Sequence, residues 1–246
     1  SDCTLADSPI IRRIADQFFG VTFTSESHTQ NLCSYVSFET EKQVTSNTKI
    51  GKLLNSLVNK GKSFVPLKVL DLEGVYKPWL PEKLGQYLKN LRYIGLRWTG
   101  LKSCPESIGD LPCLETLDLK YTNITTLPGS IWKEKNLRHL FMNEVSIAKP
   151  SSKESSRTNL QTLMGLLLGA KDPYEYGADW FTSLRKLGVS CHPKSAEESA
   201  KCISGLDKLQ SLRLRSKDRF GQPLDLELSP FKDHQSILNL YLFGVI

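Results

Sequence analysis

Hydrophobic residues recur along this chain in a fixed but irregular pattern. The stretch "LETLDLKYTNITTLPGSI" (114–131) has apolar residues at positions 114, 117, 119, 124, 127 and 131. This spacing matches neither the 3.6-residue period of a helix nor the two-residue period of a strand. The stretch just upstream, 91–108, has apolar residues at the same offsets, and Pro105 and Pro128 occupy equivalent positions. Two copies of one irregular pattern indicate a repeated structural unit.

The template L-x-x-L-x-L, or a close variant of it, occurs eight times. The copies start at residues 67, 91, 114, 137, 160, 184, 209 and 237, so the steps between them are 24, 23, 23, 23, 24, 25 and 28 residues. This period is typical of leucine-rich repeats. Leu117 and Leu119 point to one face of a short strand, while Asp118 points to the other face. One such coil cannot bury its own leucines, so successive coils are expected to stack around a shared core.

The pattern therefore predicts an α/β solenoid. We expect a leucine-rich-repeat horseshoe with a parallel sheet on its concave side and an irregular convex side of short helices and 3₁₀ turns. Residues 1–66 lack the template and are predicted to form an irregular amino-terminal cap, with strands near 10–16 and 32–38 and one amphipathic helix at about 48–61. The repeats occupy 67–246. Because the chain stops one strand into a repeat, we expect it to be cut from a longer protein.

Several repeats depart from the template. The position three residues after the third leucine often holds Asn, but here it holds Val75, Thr99, Thr122 and Val145, which predicts an irregular array. Gly165 stands where the third apolar residue of its repeat should be. The polar segments 148–159, 171–180 and 215–223 are predicted loops. A second helix is predicted at about 195–205, with Ser195 and Glu198 as its capping box.

Composition narrows the class of protein. Of 246 residues, 39% are hydrophobic and 24% are charged, as in soluble folded proteins. The six cysteines lie far apart without a C-x-x-C pair, which favours reduced thiols in a cytosolic protein. A secreted, disulfide-bonded protein is the alternative, and the "NIT" triplet at Asn123 is a glycosylation sequon. No apolar run approaches the length of a membrane span.

Candidate chemistry is sparse. The phosphate-binding, dinucleotide-binding, serine-hydrolase and zinc-protease motifs are absent from the sequence, as is metal-ligand spacing. His192 follows Cys191 directly, and adjacent residues do not form a Cys–His catalytic pair. We therefore predict a protein that is not an enzyme and binds no metal. The net charge of +6 does not favour nucleic-acid binding, because the basic cluster at 201–219 lacks interleaved aromatic residues.

A surface remains as the candidate site. Register places Trp98 and Tyr121 next to each other on adjacent repeats, beside Arg97 and Lys120, and aromatic and arginine side chains dominate interface energetics. The alternative is that the two aromatic rings pack on the rim of the sheet. The candidate partner-binding residues on the concave face are Arg97, Trp98, Asp118, Lys120, Tyr121, His139, Phe141, Arg213, Arg215 and Tyr241. For Tyr241, contact with further repeats is the preferred alternative.

The stretch 64–144 resembles the leucine-rich-repeat region of plant intracellular immune receptors, the disease-resistance proteins with a nucleotide-binding module. The matching motifs include "LKVLDLEG", "LRYIGLRWT", "CPESIGDL" and "LETLDLKYTNITTLPGSIWK". "RRIAD" followed by "LCSYVSF" is similar to the stretch that follows the nucleotide-binding module in the coiled-coil class of these receptors.

The resemblance implies a function. It implies protein partners, either a pathogen effector or a guarded host protein, and an intramolecular contact that keeps the nucleotide-binding module inactive. ATP or ADP is implied only for that module and not for this chain. A cytoplasmic location follows, with nuclear or membrane association left to the full-length receptor. A leucine-rich-repeat scaffold or adaptor without a nucleotide switch is the alternative function.

Overall fold

The computed structural model describes residues 12–16, 31–37, 49–59, 66–148, 158–169, 180–192, 196–218 and 220–245. Ten strands form one parallel sheet in chain order, and β6 pairs separately with the second half of β7. The strands are β1 (Arg13–Asp16), β2 (Ser34–Ser37), β3 (Val69–Asp71), β4 (Tyr93–Gly95), β5 (Thr116–Asp118), β6 (Thr126–Leu127), β7 (His139–Ile147), β8 (Thr162–Leu168), β9 (Lys186–Cys191), β10 (Ser211–Ser216) and β11 (Asn239–Phe243). The predicted solenoid with a parallel sheet is confirmed.

The register of the sheet aligns one apolar side chain from every strand into a single row. The row runs through Ile14, Tyr35, Leu70, Ile94, Leu117, Leu140, Leu163, Leu187, Leu212 and Leu240. The members from Tyr35 to Leu212 are buried, whereas Leu240 on the last described strand is 46% exposed. Each strand thus covers the leucine of its neighbour, which is the way a solenoid builds one continuous core.

The convex side is made of short helical segments, as predicted. The α-helices are α1 (Lys49–Asn59), α2 (Leu84–Tyr87) and α3 (Ala196–Ser204), and the 3₁₀ helices span Glu106–Asp110, Gly129–Lys133 and Ser229–Phe231. Helix α1 buries Ile50, Leu53, Leu54 and Leu57 in the core, which confirms the amphipathic helix predicted near 48–61. In α3 the first turn carries Glu197 and Glu198, while the predicted cap residue Ser195 lies outside the described residues.

The strands predicted near 10–16 and 32–38 are present as β1 and β2, and both join the main sheet. The division of the chain at residue 66 stays a prediction. The loop predicted at 148–159 and the one at 171–180 lie almost entirely outside the described residues. The third loop, 215–223, begins later than predicted, because Arg215 and Ser216 still belong to β10.

The two threonines in the position that usually holds Asn bond within their own turn. The Thr99 hydroxyl donates to the carbonyl oxygen of Leu96 at 2.7 Å, and the Thr122 hydroxyl donates to that of Leu119 at 2.9 Å. Neighbouring coils are joined there by backbone bonds instead, for example from Leu96 N–H to Asp118 O at 2.8 Å. The threonines therefore satisfy their turns locally and do not reach the next coil, as an Asn in this position would be expected to.

Gly165 marks a change in the array. Strands β7 to β10 are longer than β3 to β5, and the register shifts by a bulge at Gly165, where Leu166 takes over the inward-facing role. Gly165 has φ +82°, and a Cβ at this position would overlap the backbone carbonyl of Met142. Only glycine fits both the left-handed backbone and the close approach of β7.

One carboxylate is buried on the convex side. Glu134 is 6% exposed, and its Oε2 atom has no hydrogen-bond partner among the described residues. Burial raises the pKa of Glu134 to about 7, although a hydrogen bond from the backbone of Leu111 opposes the rise and nearby Asp110 adds to it. An ionised carboxylate here is therefore unfavourable in the folded state.

The five cysteines in the described part of the chain are free thiols. Burial raises the pKa of Cys104 to about 12 and that of Cys191 to about 11, so both remain in the unreactive thiol form near neutral pH.

The bulge can be tested with two matched glycine substitutions. Gly165 and Gly221 both have φ +82°, but nothing lies within 4 Å of a Cβ at Gly221. Gly165→Ala and Gly221→Ala should share the cost of a left-handed alanine, on the order of 1 kcal/mol. Gly165→Ala should lose at least a further 1–2 kcal/mol through overlap with Met142. Urea unfolding measures both free energies, and equal losses would show that the contact at Gly165 is unimportant.

Glu134→Gln should change how stability depends on pH. The folded-state pKa of about 7 lies above the ordinary value of 4.5, so the folded protein holds this proton more tightly than the unfolded chain. Stability linked to Glu134 is complete below about pH 4.5 and is lost as the pH rises through about 7. The melting temperature of Glu134→Gln should exceed that of the wild type by more at pH 8 than at pH 5.

Glu106→Gln is the control for this experiment, since Glu106 is an exposed carboxylate on the same side of the array. Its melting temperature should follow that of the wild type at both pH values. A constant difference between Glu134→Gln and wild type at pH 5 and pH 8 would contradict the assignment of a proton to Glu134.

Candidate functional site

A row of residues with left-handed backbone conformation runs along the edge of the concave face. Its members lie three residues past the ends of β3, β4 and β5 and inside β7. Gly74, Trp98, Tyr121 and Glu144 occupy equivalent positions in successive repeats, 24, 23 and 23 residues apart, and all have φ between +54° and +79°. Glycine adopts this conformation freely, whereas a side chain there costs about 1 kcal/mol or more. Three non-glycine residues in a row therefore mark this edge as a candidate functional site. We call these four residues the left-handed ladder.

Trp98 and Tyr121 are adjacent members of the ladder, and their rings stack face to face. The ring centroids are 3.8 Å apart with an interplanar angle of 10°. Parallel strands lie about 4.8 Å apart, so side chains that leave equivalent backbone positions can lie flat against each other. Trp98 is still 58% exposed and Tyr121 45% exposed. The predicted neighbour relationship is confirmed, and the pair leaves a large aromatic surface open to solvent.

The backbone under the stack is held by the adjacent repeat. Trp98 N–H donates to the carbonyl oxygen of Lys120 at 3.1 Å, and Tyr121 N–H donates to Oδ1 of Asn143 at 2.9 Å. These bonds fix the backbone of each turn relative to the next repeat. The positions from which the Trp98 and Tyr121 rings extend are therefore fixed as well.

Asp118 positions neighbouring residues of the candidate site and is not itself part of the exposed surface. It is buried, its Oδ1 accepts a hydrogen bond from Lys120 N–H at 3.0 Å, and its Oδ2 lies 3.4 Å from Arg97 Nε. The carboxylate thus links two of the predicted site residues. This differs from the expectation that Asp118 would form part of the open surface, because its carboxylate is buried and engaged by Lys120 N–H and the Arg97 side chain.

Asp71 and Tyr93 fill the space beside Asp118. A side chain at Gly95 would overlap the Asp71 carboxylate and the Tyr93 hydroxyl, which explains the glycine in strand β4. Burial, with a contribution from Asp118, raises the pKa of Asp71. Burial and the same carboxylates raise the pKa of Tyr93 to about 12. This half of the concave face therefore carries closely spaced negative charge.

The middle of the concave face is aromatic. Lys120 Nζ lies 5.0 Å from the centroid of the Phe141 ring, and the His139 ring stacks on Phe141 at 6.4 Å. Nδ1 of His139 is 3.1 Å from the Thr162 hydroxyl. Both predicted residues, His139 and Phe141, lie on the expected face, and both are half-buried.

Glu144 joins the ladder to the carboxy-terminal repeats. Its Oε1 atom lies 2.6 Å from Lys217 Nζ, accepts a hydrogen bond from the Ser190 hydroxyl at 3.1 Å, and lies 4.0 Å from Arg215. Gly165, between them in the array, has no side chain to block this reach. Sequence reasoning missed Glu144, although its position 23 residues after Tyr121 was a readable signal.

The remaining predicted residues lie further along the same face. Arg213 pairs in register with Tyr241, and its guanidinium carbon is 5.4 Å from the tyrosine ring centroid. Arg215 pairs in register with Phe243. The structure therefore divides the ten candidates between the repeats around β4 to β7 and the strands β10 and β11. Basic groups dominate the second region, and carboxylates dominate beside β3 to β5.

The described residues contain no group of three or more His, Cys, Asp or Glu side chains that could hold a metal ion. None of the helices in the described part of the chain combines the length and apolar character that a bilayer crossing requires.

A stack of short parallel strands with aligned leucine rows and an open side-chain surface defines a leucine-rich-repeat protein. The family model described as "Leucine-rich repeat region" matches residues 43–243, and the chain belongs to this family. Folds of this class generally serve as protein-interaction scaffolds.

The curated relatives include plant disease-resistance proteins. The ToMV susceptible protein tm-2 of Solanum lycopersicum is 33% identical over 120 residues, which cover 45% of this chain and 14% of that protein. The disease resistance protein Pik-2 of Oryza sativa subsp. japonica is 28% identical over 222 residues, which cover 85% of this chain and 20% of that protein. The chain thus spans a fifth or less of the length of these relatives. The predicted resemblance to plant resistance receptors is confirmed, while the coiled-coil class stays a prediction.

Solved structures support the fold alone. A leucine-rich-repeat protein of Leptospira interrogans aligns with a TM-score of 0.58 at 21% identity and covers 89% of this chain and 56% of that chain. The internalin InlF of Listeria monocytogenes aligns with a TM-score of 0.54 at 16% identity and covers 88% of this chain and 55% of that chain.

The ring stack should be visible as an energetic coupling. In a double-mutant cycle, Trp98→Ala and Tyr121→Ala should be less destabilising together than the sum of the two, by about 0.5–1.5 kcal/mol. Chemical denaturation of the four proteins measures the coupling. The cycle of Trp98→Ala with Tyr241→Ala is the control. It should be additive within about 0.5 kcal/mol, because Trp98 follows β4 and Tyr241 lies on β11, which is far from β4 in the sheet. A coupling of zero between Trp98 and Tyr121 would mean that the stack does not persist in solution.

Proposed function

We propose that this chain is the ligand-sensing and autoinhibitory leucine-rich-repeat region of a plant disease-resistance receptor. Its partner is a protein, either a pathogen effector or a host protein that the receptor guards. A second contact holds the nucleotide-binding module of the same receptor inactive, and any ATP or ADP binds to that module. The region has no catalytic role. It works in the cytoplasm, with nuclear or membrane association set by the rest of the receptor.

The exposed Trp98–Tyr121 stack carries this proposal. Two large rings that remain about half exposed in a strained backbone conformation contribute little to the core. They are flanked by Arg97 and Lys120, and aromatic and arginine side chains at the centre of an interface supply most binding energy. The names of the relatives, which are disease-resistance proteins of tomato and rice, supply the biological setting.

Direct binding measurements test the proposal. Proteins captured by this region from the plant tissue that expresses the receptor are purified, and their dissociation constants are measured by isothermal titration calorimetry. Trp98→Ala combined with Tyr121→Ala should weaken binding by at least about tenfold, which corresponds to about 1.4 kcal/mol. Loss of the rings removes contact area without disturbing the leucine row.

Leu238→Ala combined with Phe243→Ala is the matched control. These residues are 76% and 44% exposed and lie at the far end of the sheet, so the same loss of apolar surface should change the dissociation constant less than twofold. A partner that binds the Trp98 and Tyr121 variant as tightly as the wild type would show that the stack is not the contact surface.

A further inference from the structure

One ring face of Trp98 remains open. Tyr121 covers the face that looks toward β5, at a ring separation of 3.8 Å. The opposite face looks toward the preceding member of the left-handed ladder, which is Gly74. The backbone of Gly74 lies directly beside that of Trp98, since Gly74 N–H donates to the carbonyl oxygen of Arg97 at 2.8 Å. The residue next to the exposed ring thus has no side chain.

A first side-chain carbon at residue 74 would meet no described atom. Nothing lies within 4 Å of a Cβ built at Gly74, whose φ is +79°. Trp98 and Tyr121 show that this row accepts large planar side chains at similar φ values of +57° and +59°. Gly74 is therefore the ladder position without a side chain, and it lies one repeat from Trp98. A third planar group placed there can stack on the Trp98 ring.

The charges around this position are mainly negative. Glu73 directly precedes Gly74, and its backbone N–H donates to Asp71 Oδ1 at 3.1 Å. The charged groups that act on the nearby Tyr93 hydroxyl are the carboxylates of Asp71, Asp118 and Glu73 and a single guanidinium, that of Arg97. Arg97 is already paired with Asp118. Lys77, further along the same connection, places its ammonium 4.8 Å from the centroid of the Tyr76 ring.

We propose that the vacant position above Gly74 binds an arginine side chain of the protein partner, with the guanidinium stacked on Trp98 and facing the carboxylates of Asp71 and Glu73. The assignment rests on the proposed function and names the chemistry that the partner presents. It makes Gly74 a specificity-determining position, because any side chain there would occupy the space of the incoming group.

The chemistry favours arginine over other planar or cationic groups. A guanidinium is flat, weakly hydrated and permanently charged, so it can stack on an indole and donate hydrogen bonds to carboxylates at the same time. A lysine ammonium gains the charge interaction but does not stack as a plane. A nucleotide base could stack, but its phosphate would be repelled by three carboxylates.

Capped tripeptides provide the direct test, using the protein labelled with nitrogen-15. The probes are acetyl-Gly-Arg-Gly-amide, its Lys and Glu counterparts, and AMP, and the readout is the indole N–H resonance of Trp98. The arginine peptide should shift this resonance saturably, the lysine peptide should bind about three- to tenfold more weakly, and the Glu peptide and AMP should cause no saturable shift. Equal binding of the Glu peptide or AMP, or no saturation with the arginine peptide, would overturn the proposal.

Filling the vacant position is the second arm. Gly74→Tyr should add a third ring to the stack and weaken arginine-peptide binding at least fivefold. Gly221→Tyr is the matched control, because Gly221 also has a left-handed backbone, with φ +82°, and nothing within 4 Å of a Cβ. It should leave binding unchanged. Undiminished binding by Gly74→Tyr would place the arginine elsewhere.

Glu73→Gln keeps the test decisive if Gly74→Tyr folds poorly. This exchange preserves size and leaves the ladder intact, and it should weaken binding of the arginine peptide about threefold without affecting the Trp98–Tyr121 coupling. An unchanged affinity would argue against the carboxylate contact.

The two proposals fail in different ways. If the arginine peptide does not bind but the Trp98 and Tyr121 variant still loses its protein partner, the arginine assignment is wrong and the proposed function stands. If the peptide binds at Trp98 but partner binding ignores both rings, the position is an arginine site that the partner does not use, and both proposals fall.

Discussion

The whole molecule depends on burial of one leucine by the leucine of the next coil. The row from Leu70 to Leu212 is continuous because every strand pairs with its neighbour in parallel and in register. A single coil of about 23 residues has no interior of its own, so the stabilising unit is the contact between coils. This arrangement assigns one side of each strand to the core and leaves alternate side chains free for other roles.

The same in-register stacking creates the candidate site. Equivalent positions of successive repeats lie about 4.8 Å apart, close to the spacing at which aromatic rings stack. Trp98 and Tyr121, which are 23 residues apart in sequence, therefore become direct neighbours. Their left-handed backbone conformations are unfavourable for residues with a Cβ, and the strain is accepted at the edge of the concave face, where the leucine core does not require it.

Two kinds of concave surface lie on either side of the irregular strands β7 and β8. Strands β3 to β5 are short and are followed by members of the left-handed ladder, and Asp71 and Asp118 supply carboxylates to this part of the face. From β7 onward the strands are longer, and basic side chains predominate on β10, where Arg213 and Arg215 lie. The Glu144 carboxylate forms an ion pair with Lys217, and this contact passes over Gly165, which has no side chain. The ion pair links the two regions. A partner that covered both regions would need complementary charges of both signs.

The sequence alone determined the solenoid, the parallel sheet, the helix at Lys49–Asn59 and the proximity of Trp98 and Tyr121. Each of these follows from periodicity, since a repeated offset in sequence becomes a fixed translation in space. Only the tertiary structure decided that Asp118 is buried and paired with Arg97, that the threonines bond within their own turns, and that Glu144 reaches Ser190 and Lys217. These depend on side-chain rotamers, on the handedness of single residues and on a bulge at one glycine, and such features break the period from which the prediction was made.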